Sequence, residues 1–298
     1  MQIKNKKMIF QEILLKAKKE GWATGHFNAS ESDHMRAIVG ACFELKSPVV
    51  IGTSEGEREH LGLLEAVALR DAFREEFDVS IFLNADHTKN VENAKKAIDA
   101  GYDSIHIDLS ALTYEENVKG TKEIVGYARD KEEKENVVIN IEGELGYLKG
   151  ESKVEKEKVE ISRDDYTKPE EAKNFVEETG VNRLAVAVGN IHGLSPEEPE
   201  IDMDLIAEIR KSIPENVALV LHAGSGISDE KIRRAIEAGI SNIHINTDLR
   251  VAYVGALREK IKKDKEETAM YKLDLSASLA MKEVVKSKLA LFGAVGRV

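Results

Sequence analysis

Residues 218–246 read ALVLHAGSGISDEKIRRAIEAGISNIHIN and contain the pattern that decides the fold. A short apolar run, 218–222, is followed by a Gly-rich turn, by residues 229–238 with the spacing of an amphipathic helix, and by a second apolar run, 242–246. Gly239 stands where such a helix would end. Strand, helix and strand in this order predict two parallel strands joined by a covering helix.

The same alternation continues along the whole chain, without a Pro/Gly/Ser-rich linker that would divide it into halves. The eight predicted strands are residues 22–27, 48–53, 79–84, 104–108, 137–142, 183–188, 218–222 and 242–246. Helical spacing occurs between them, for example at residues 32–45, 91–100, 169–179, 202–213 and 229–238. Continuous apolar strands covered by helices predict a parallel sheet. Eight repeats predict an α/β fold closed into a (β/α)8 TIM barrel, with residues 1–298 forming one domain.

Two segments depart from this alternation. Residues 144–166 are highly charged and include Gly146 and Gly150, which is typical of a mobile loop after the fifth strand. Residues 266–298 add a helix beyond the eight repeats. We expect that helix to pack on the barrel or on a partner subunit.

Composition excludes several classes of protein. The chain has 298 residues with 43 Lys and Arg against 54 Asp and Glu, a formal net charge of −11, and its lysine-rich runs are interleaved with glutamates. A nucleic-acid-binding protein normally has a basic face, so no nucleic-acid partner is expected. The N-terminal residues have no long apolar run, and the single cysteine, Cys42, has no partner for an internal disulfide. We therefore expect a cytoplasmic protein without a membrane partner.

Polar side chains stand at the carboxyl end of every predicted strand. They are His26, Asn28, Ser54, Asp86, His87, Asp108, Glu142, Glu144, Asn190, His192, His222, Ser225, Asn246, Thr247 and Asp248. A scaffold alone requires only caps and turns at these positions, whereas barrel enzymes place their chemistry there. The pattern therefore predicts a functional site at this end of the barrel.

Three histidines, His87, His192 and His222, follow predicted strands three, six and seven. A single histidine is more often a packed or surface residue than a ligand, but three at one barrel mouth are typical of a catalytic Zn²⁺ site with one open coordination position. Asp86 precedes His87 and can face a substrate while His87 binds the metal. The alternative interpretation of Asp86 is a helix N-cap.

Two turns indicate phosphate binding. Gly224–Ser225–Gly226 follows predicted strand seven, and Thr247 and Asp248 follow strand eight, where barrels often bind phosphate through backbone N–H groups and a helix N-terminus. Because Gly-x-Gly is also an ordinary turn, phosphate binding is inferred from the position of this turn between the last two predicted strands. A metal, an acid and a phosphate site together suggest a phosphorylated carbonyl substrate polarised by a Lewis acid.

These residues occur in motifs that span nearly the whole chain. The motifs are NADHT (84–88), IHIDLS (105–110), IEGELG (141–146), AVAVGNIHG (185–193), LHAGSG (221–226), INTDLR (245–250) and KLALFGAVGRV (288–298). In type and order they resemble those of the class II, zinc-dependent ketose-bisphosphate aldolases, best known from fructose-1,6-bisphosphate aldolase. The resemblance implies reversible cleavage of a ketose phosphate, with fructose 1,6-bisphosphate first, to dihydroxyacetone phosphate and an aldehyde such as glyceraldehyde 3-phosphate.

The resemblance also implies roles for single residues. His87, His192 and His222 would bind catalytic Zn²⁺, and Asp86 would take the proton from the C4 hydroxyl during cleavage. A second divalent ion would use two acidic residues, and a monovalent cation commonly accompanies the substrate phosphate. The two second-ion residues are Asp108 and Glu144, and the predicted substrate and phosphate contacts are Asn28, Ser54, Gly193, Gly224, Ser225, Asn246 and Thr247. Members associate, so a homodimer or homotetramer is expected.

Two departures from the family pattern concern proton transfer and hydroxyl recognition. Many relatives carry a loop glutamate that exchanges the C1 proton of dihydroxyacetone phosphate, and that position is Ser152 here, with Glu151 one residue earlier. Glu151 is therefore the candidate for this role. The family's Asn-x-Asp after strand eight is His244-x-Asn246, at the place where substrate hydroxyls are read.

Two further departures concern charge. A lysine common shortly after the His-Gly of strand six is replaced by the residues Leu-Ser-Pro at 194–196. The family's Asp-Pro-Arg near the C-terminus, whose arginine reaches the distal phosphate across a subunit interface, is replaced by YKLDLSAS at 271–278. Arg250 matches the family's strand-eight arginine, and the alternative interpretation is a helix-surface or salt-bridge residue.

Three alternatives remain from the sequence. A tagatose-bisphosphate or other ketose-phosphate aldolase would differ in hydroxyl recognition. A barrel hydrolase of the amidohydrolase kind usually has His-x-His after its first strand, whereas this chain has His26-x-Asn28. A barrel that binds sugar phosphate without turnover is the non-catalytic alternative.

Overall fold

The predicted strands form a closed parallel barrel in the computed structural model, which describes residues 8–157 and 159–297. The strands are β1 (Thr24–Asn28), β2 (Val49–Thr53), β3 (Ile81–Thr88), β4 (Ser104–Ile107), β5 (Asn140–Leu145), β6 (Gly150–Val154), β7 (Arg183–Val186), β8 (His192–Leu194), β9 (Ala218–Leu221) and β10 (Ile240–Ile245). The barrel order is β1, β10, β9, β7, β5, β4, β3 and β2, while β6 and β8 pair with each other outside it. The predicted (β/α)8 barrel is confirmed.

Helices cover the barrel as the alternation requires. They are α1 (Phe10–Glu20), α2 (Ser32–Leu45), α3 (Glu55–Leu61), α4 (Leu63–Glu76), α5 (Val91–Ala100), α6 (Tyr114–Glu135), α7 (Pro169–Thr179), α8 (Met203–Ser212), α9 (Asp229–Ala238), α10 (Thr247–Lys263) and α11 (Met270–Leu291). Gly239 ends α9 with φ of 125°, a backbone conformation that side chains other than glycine rarely adopt. The expected C-terminal helix is α11, which packs against α10 and α2.

Three barrel strands run farther towards the mouth than predicted. β1 includes Asn28, β3 includes Asp86 and His87, and β5 includes Glu144, so these four side chains lie on strands rather than on the loops after them. The apolar runs end earlier than the backbone pairing does, because hydrogen-bonded strands continue into the polar mouth of the barrel.

The segment expected to be a mobile loop, 144–166, contains regular structure. β6 lies within it and pairs in parallel with β8, and a 3₁₀ turn follows at Arg163–Asp165. We call the β6–β8 pair the lid sheet. The side chains of β6 are mostly exposed, so this strand lacks the apolar run that revealed the barrel strands.

Apolar side chains fill the space around the strands, but the bottom of the barrel interior is polar. Arg183 on β7 is fully buried there and donates hydrogen bonds to side chains of four other strands. Its partners are Asn140 Oδ1 at 2.7 Å, Asn242 Oδ1 at 2.9 Å, Asn84 Oδ1 at 3.2 Å and Ser104 Oγ. We call Arg183 with these four residues the barrel floor.

Within the described ranges, every helix is too short or too polar to cross a membrane.

Candidate active site

Two of the predicted metal ligands face each other at the barrel mouth. His87 Nε2 and His222 Nδ1 lie 3.1 Å apart, one from β3 and the other directly after β9. His87 has a left-handed backbone with φ of 43°, and the β3–β4 register shifts between Ala85 and Thr88. Such strained non-glycine backbone is concentrated at functional sites. Here the left-handed backbone at His87 directs the consecutive side chains of Asp86 and His87 to different neighbours, Asn28 and His222 respectively.

The outer nitrogen of each histidine contacts a carboxylate. His87 Nδ1 lies 2.9 Å from Asp108 Oδ2, and His222 Nε2 lies 2.6 Å from Glu142 Oε1. An ionised carboxylate can only accept, so both outer nitrogens carry hydrogens, and in the neutral imidazoles both inner nitrogens then present lone pairs to each other. Carboxylate–histidine pairs of this kind hold metal-binding imidazoles in orientation.

This arrangement fits Zn²⁺. Two imidazole nitrogens on one tetrahedral Zn²⁺ lie about 3.3 Å apart, given Zn–N bonds of about 2.0–2.1 Å. Two lone pairs 3.1 Å apart repel unless a cation or a proton lies between them. Despite burial, Asp86 and Asp108 raise the pKa of His87, whereas burial and the neighbouring His106 and His87 lower the pKa of His222.

His192 stands beside this pair on the lid sheet. Its ring centroid is 4.9 Å from that of His87 and 6.4 Å from that of His222. Burial and the neighbouring His87 lower the pKa of His192 to about 3, so the imidazole is neutral at pH 7 and able to bind a metal. The three predicted ligands are therefore neighbours, with His192 farther from His222 than from His87.

Asp86, next to His87 in the chain, is held by two further polar side chains, Asn28 and His244. Its Oδ2 accepts a hydrogen bond from Asn28 Nδ2 at 3.0 Å, and its Oδ1 lies 3.3 Å from His244 Nδ1. Burial alone would raise the pKa of Asp86, but His87, His106 and His244 hold that pKa well below its usual value. The carboxylate is therefore ionised at neutral pH and can accept a proton.

The predicted second-ion residues also lie together. Asp108 and Glu144 form a compact group with His87 and His106, in which all potential ligand atoms are within 4.8 Å of one another. His106 Nε2 lies 3.1 Å from Glu144 Oε2. Burial and the nearby Asp108 raise the pKa of Glu144. The group also contains His106, to which the sequence analysis gave no role.

A cavity of about 510 Å³ opens beside Asp86 and the three histidines. Six of the seven predicted substrate contacts line it: Asn28, Ser54, Gly193, Ser225, Asn246 and Thr247. α10 begins at Thr247, so a helix N-terminus faces this space, and Ser225 Oγ accepts a hydrogen bond from Asp248 N at 3.2 Å. These features suit a phosphate group.

The seventh predicted contact, Gly224, lies behind the cavity wall. Its N–H donates to His244 O at 2.9 Å, and a Cβ atom would come within 2.7 Å of Ile243. Gly193 is also required for packing, since a Cβ there would meet the carbonyl oxygen of Lys153 at 2.4 Å. Both glycines let neighbouring backbones approach closely, one at β10 and one in the lid sheet.

Glu151 and Ser152 are both on β6, but in different surroundings. The Glu151 side chain is 75% exposed and pairs with Lys153 at 2.7 Å. It lines a neighbouring cavity of about 460 Å³ together with Asp108 and Glu144. Ser152 lines both cavities. The structure therefore places the predicted catalytic Glu151 next to the second-ion group rather than next to Asp86.

Three polar residues in and below the site were given no role from the sequence: the half-buried Glu57 and the buried His106 and Arg183. The rings of His26 and His244 stack with centroids 3.5 Å apart. His106 and His244 each interrupt an apolar strand, whereas Arg183 begins one and follows Asn182. A titratable residue flanked by buried aliphatic residues was the available signal for the two histidines.

Fold and site together show a (β/α)8 barrel whose polar groups converge at the carboxyl ends of its strands, as in barrel enzymes. The family model for fructose-bisphosphate aldolase class II matches residues 9–297. The chain belongs to the class II fructose-bisphosphate aldolase family, which is metal-dependent and consists of lyases. The hydrolase alternative is thereby set aside.

Solved structures of aldolases have the same fold as this chain. The chain is similar to the YdjI aldolase from Escherichia coli K12, with 30% identity and a TM-score of 0.79 over 96% of this chain and 97% of that one. It is similar to a proposed fructose-1,6-biphosphate aldolase from Coccidioides immitis, with 27% identity and a TM-score of 0.84 over 97% of both chains. Fructose-bisphosphate aldolase from Campylobacter jejuni, at 19% identity and a TM-score of 0.78 over 97% of this chain and 95% of that one, shares the fold.

Proposed function

We propose that this protein is a zinc-dependent aldolase that reversibly cleaves a ketose phosphate to dihydroxyacetone phosphate and an aldehyde. Fructose 1,6-bisphosphate is the first substrate to test. The observation that carries the proposal is the facing pair of His87 and His222 nitrogens, 3.1 Å apart, beside an ionised Asp86 and a cavity of about 510 Å³.

His87, His192 and His222 would hold Zn²⁺, which supplies Lewis-acid polarisation of the substrate carbonyl when bound. Asp86 accepts the proton of the C4 hydroxyl as the C3–C4 bond breaks, and returns it to the aldehyde oxygen during condensation. Its neighbour Asn28 fixes the carboxylate through the 3.0 Å hydrogen bond and leaves it in contact with the cavity. Removal of a proton by a positioned carboxylate is ordinary general-base catalysis.

The phosphate of the dihydroxyacetone phosphate half would lie against Gly193, Ser225, Asn246 and Thr247. We call these four residues the phosphate cradle, with a monovalent cation beside it. Backbone N–H groups and the start of α10 provide the positive field there. A second divalent ion would lie at Asp108 and Glu144.

Glu151 remains our candidate for proton exchange at C1, with Ser152 as the matched neighbour. If the assignment is correct, Glu151→Ala should depress turnover sharply and Ser152→Ala should not. Equal effects of the two changes, or a larger effect at Ser152, would contradict it.

The test of the proposed function is a coupled assay for release of dihydroxyacetone phosphate by metal-loaded protein from a panel of ketose mono- and bisphosphates. Asp86→Ala should abolish turnover and leave the zinc content, measured by mass spectrometry, unchanged. His222→Ala should lose both. Failure to release product from every member of the panel would contradict the proposal. Phosphate-ligand binding by calorimetry without turnover would support the non-catalytic alternative.

A tagatose-bisphosphate or other ketose-phosphate aldolase is the second candidate. It is supported by His244 and Asn246, which line the cavity close to Asp86 and differ from the residues that most relatives use to read hydroxyl configuration. The ratio of kcat/KM for tagatose and fructose bisphosphates separates the two candidates.

We also propose that residues 1–298 act as one catalytic domain in a cytoplasmic homodimer or homotetramer. Exposed apolar side chains on α10 and α11 support association: Val251, Val254, Tyr271, Leu275 and Leu279. Light scattering after size-exclusion chromatography measures the number of subunits, and a monomer would contradict this part of the proposal.

A further inference from the structure

A strained segment of β3 presents both Asp86 and His87. His87 has φ of 43°, and the pairing of β3 with β4 shifts in register between Ala85 and Thr88. A residue other than glycine keeps such a backbone only where the surrounding contacts hold it in place. The contacts on residues 85–88 therefore decide where the Asp86 carboxylate and the His87 imidazole lie.

The buried side chain of Arg58, on α3, contacts this segment on both sides of His87. Its Nη1 donates to Asp86 O at 2.9 Å, and its Nη2 donates to Thr88 Oγ1 at 3.0 Å. Nη1 also donates to the carbonyl oxygen of Thr53, the last residue of β2. Arg58 thus ties the strained part of β3 to the neighbouring strand.

Further contacts on the segment come from β3 itself and from β4. Thr88 Oγ1 donates to Ala85 O at 3.1 Å, and His106 Nδ1 accepts a hydrogen bond from His87 N at 3.1 Å. The Thr88 hydroxyl accepts from Arg58 and donates its own hydrogen to Ala85. One chain of hydrogen bonds therefore spans the shift in register.

The start of α3 fixes the position of Arg58. Ser54, directly after β2, forms a capping box with Glu57, whose Oε2 accepts from Ser54 N at 2.7 Å. The same oxygen accepts from Asn28 Nδ2 at 2.9 Å, and Asn28 Nδ2 also donates to Asp86 Oδ2 at 3.0 Å. Consecutive residues of α3 thus hold Asp86 in two ways, Glu57 at its carboxylate through Asn28 and Arg58 at its main chain.

Burial makes a charge at this position unfavourable unless its contacts are well placed. Arg58 is 6% exposed, and these three hydrogen bonds go to two carbonyl oxygens and a hydroxyl group rather than to a carboxylate. A buried charge without a directly bonded counter-ion is costly. A neutral side chain is enough to join α3 to β2, whereas fixing Asp86 O and Thr88 Oγ1 together requires the forked donor that arginine provides.

We propose that Arg58 is a positioning residue. It holds residues 85–88 so that the Asp86 carboxylate lines the cavity while His87 Nε2 faces His222. The inference rests on the proposed function for the roles of Asp86 as base and His87 as zinc ligand. Loss of Arg58 would displace both groups together, whereas the phosphate cradle lies on the lid sheet and after β9 and β10 and would keep its place.

The test compares Arg58→Met with Arg70→Met. Arg70, on α4, is 5% exposed and donates to Gly101 O and Asp103 Oδ2, both at 2.8 Å. Asp103 directly precedes β4, at the opposite end of that strand from the mouth. Arg70→Met is therefore the matched control for the loss of a buried guanidinium, and both proteins are assayed at a temperature at which circular dichroism shows them to be folded.

Two quantities are measured: release of dihydroxyacetone phosphate from the ketose phosphate that the wild-type protein cleaves best, and zinc affinity by competition with a chromophoric chelator. Arg58→Met should lower kcat by about 10–100-fold, because small displacements of a base reduce turnover strongly, and should change KM by less than about threefold. Zinc affinity should fall by about tenfold. Arg70→Met should change each quantity by no more than about twofold.

Thr88→Val breaks the same chain of hydrogen bonds without removing a buried charge. Valine has the shape of threonine, but it neither accepts from Arg58 nor donates to Ala85. We expect kcat and zinc affinity to fall by about threefold to tenfold. The double variant should lose no more than Arg58→Met alone, because both changes interrupt one set of contacts.

Equal losses in Arg58→Met and Arg70→Met, a loss confined to KM, or full retention of kcat and zinc affinity in Thr88→Val would each overturn the inference. If Arg58→Met does not fold, the result for Thr88→Val decides. Failure of the proposed function gives a different result. A wild-type protein that binds zinc but cleaves no ketose phosphate would contradict the proposed function alone, and the zinc affinities would still decide the role of Arg58. A wild-type protein that binds no zinc would contradict both.

Discussion

The two histidines that face each other at the barrel mouth are oriented by carboxylates in very different surroundings. Asp108, behind His87, is 12% exposed and accepts a hydrogen bond from Ser110 Oγ at 2.7 Å. Glu142, behind His222, has no exposed surface and forms an ion pair with Arg183 at 2.8 Å. Asp108 is thus stabilised by a hydroxyl group and nearby solvent, and Glu142 by a full counter-charge.

The difference shows what a dry barrel interior requires. Burying an ionised carboxylate without a partner is costly, and a paired, hydrogen-bonded counter-ion offsets much of that cost. Burial alone would raise the pKa of Glu142, but Arg183, His106 and His244 hold that pKa below its usual value. Arg183 in turn is satisfied by the barrel floor. The orientation of His222 therefore depends on residues at the bottom of the barrel, whereas that of His87 depends on residues at the rim.

The largest expected effect follows from removing the counter-charge. Arg183→Met should lower the free energy of unfolding by about 3–5 kcal/mol, because it leaves the buried Glu142 carboxylate without its counter-charge. Urea denaturation followed by circular dichroism measures this change. Adding Glu142→Gln to Arg183→Met should recover part of the loss. A cost below about 1 kcal/mol for the single change would show that the buried pair is dispensable.

The next effect concerns metal affinity. Glu142→Gln and Asp108→Asn should each weaken zinc binding by about 10–100-fold, because each removes the carboxylate that orients a ligand. Glu142→Gln should be at the upper end, since it also leaves the Arg183 charge unpaired. Competition with a chromophoric chelator measures both affinities. A larger loss of zinc affinity in Asp108→Asn than in Glu142→Gln would mean that residues at the rim, rather than the barrel floor, control zinc binding.

The smallest effect is expected at the rim. Ser110→Ala removes the hydroxyl donor to Asp108 Oδ1, and we expect zinc affinity to fall by about threefold to tenfold, since water can partly replace the hydroxyl. Ser212→Ala, which removes a hydroxyl bonded to Ile209 O at the end of α8, is the matched control and should change nothing at the site. An effect as large as that of Asp108→Asn would show that Asp108 depends entirely on Ser110.

Much of the fold could be predicted because a parallel barrel repeats a simple pattern. The eight predicted apolar runs correspond to the eight barrel strands, and Gly239 ends α9 as expected. The lid sheet was not predicted, since β6 is exposed and charged and its pairing with β8 depends on tertiary contacts. The ends of β3 and β5 were also placed too early, because hydrophobicity stops at the mouth although strand pairing continues.

The candidate site was predictable where polar residues follow strands. Asp86, His87 and His222 come together as expected, and the predicted phosphate contacts, apart from Gly224, line one cavity. The supporting residues were harder to find. Side chains of a barrel strand alternate between the interior and the helices, and sequence alone does not show whether Arg183 or His106 points inwards. Glu57 was missed because it lies on a charged helix, where a glutamate is ordinarily a solvated residue.

The barrel floor also has a consequence for the lifetime of the folded protein. Its hydrogen bonds from Arg183 join residues 43, 59, 79 and 99 positions apart in the chain. Contacts between residues so distant in sequence form only after most of the chain has assembled, and contacts absent from the folding transition state act mainly by slowing unfolding. We therefore expect the arginine to set how long the closed barrel persists, with little influence on how quickly it forms.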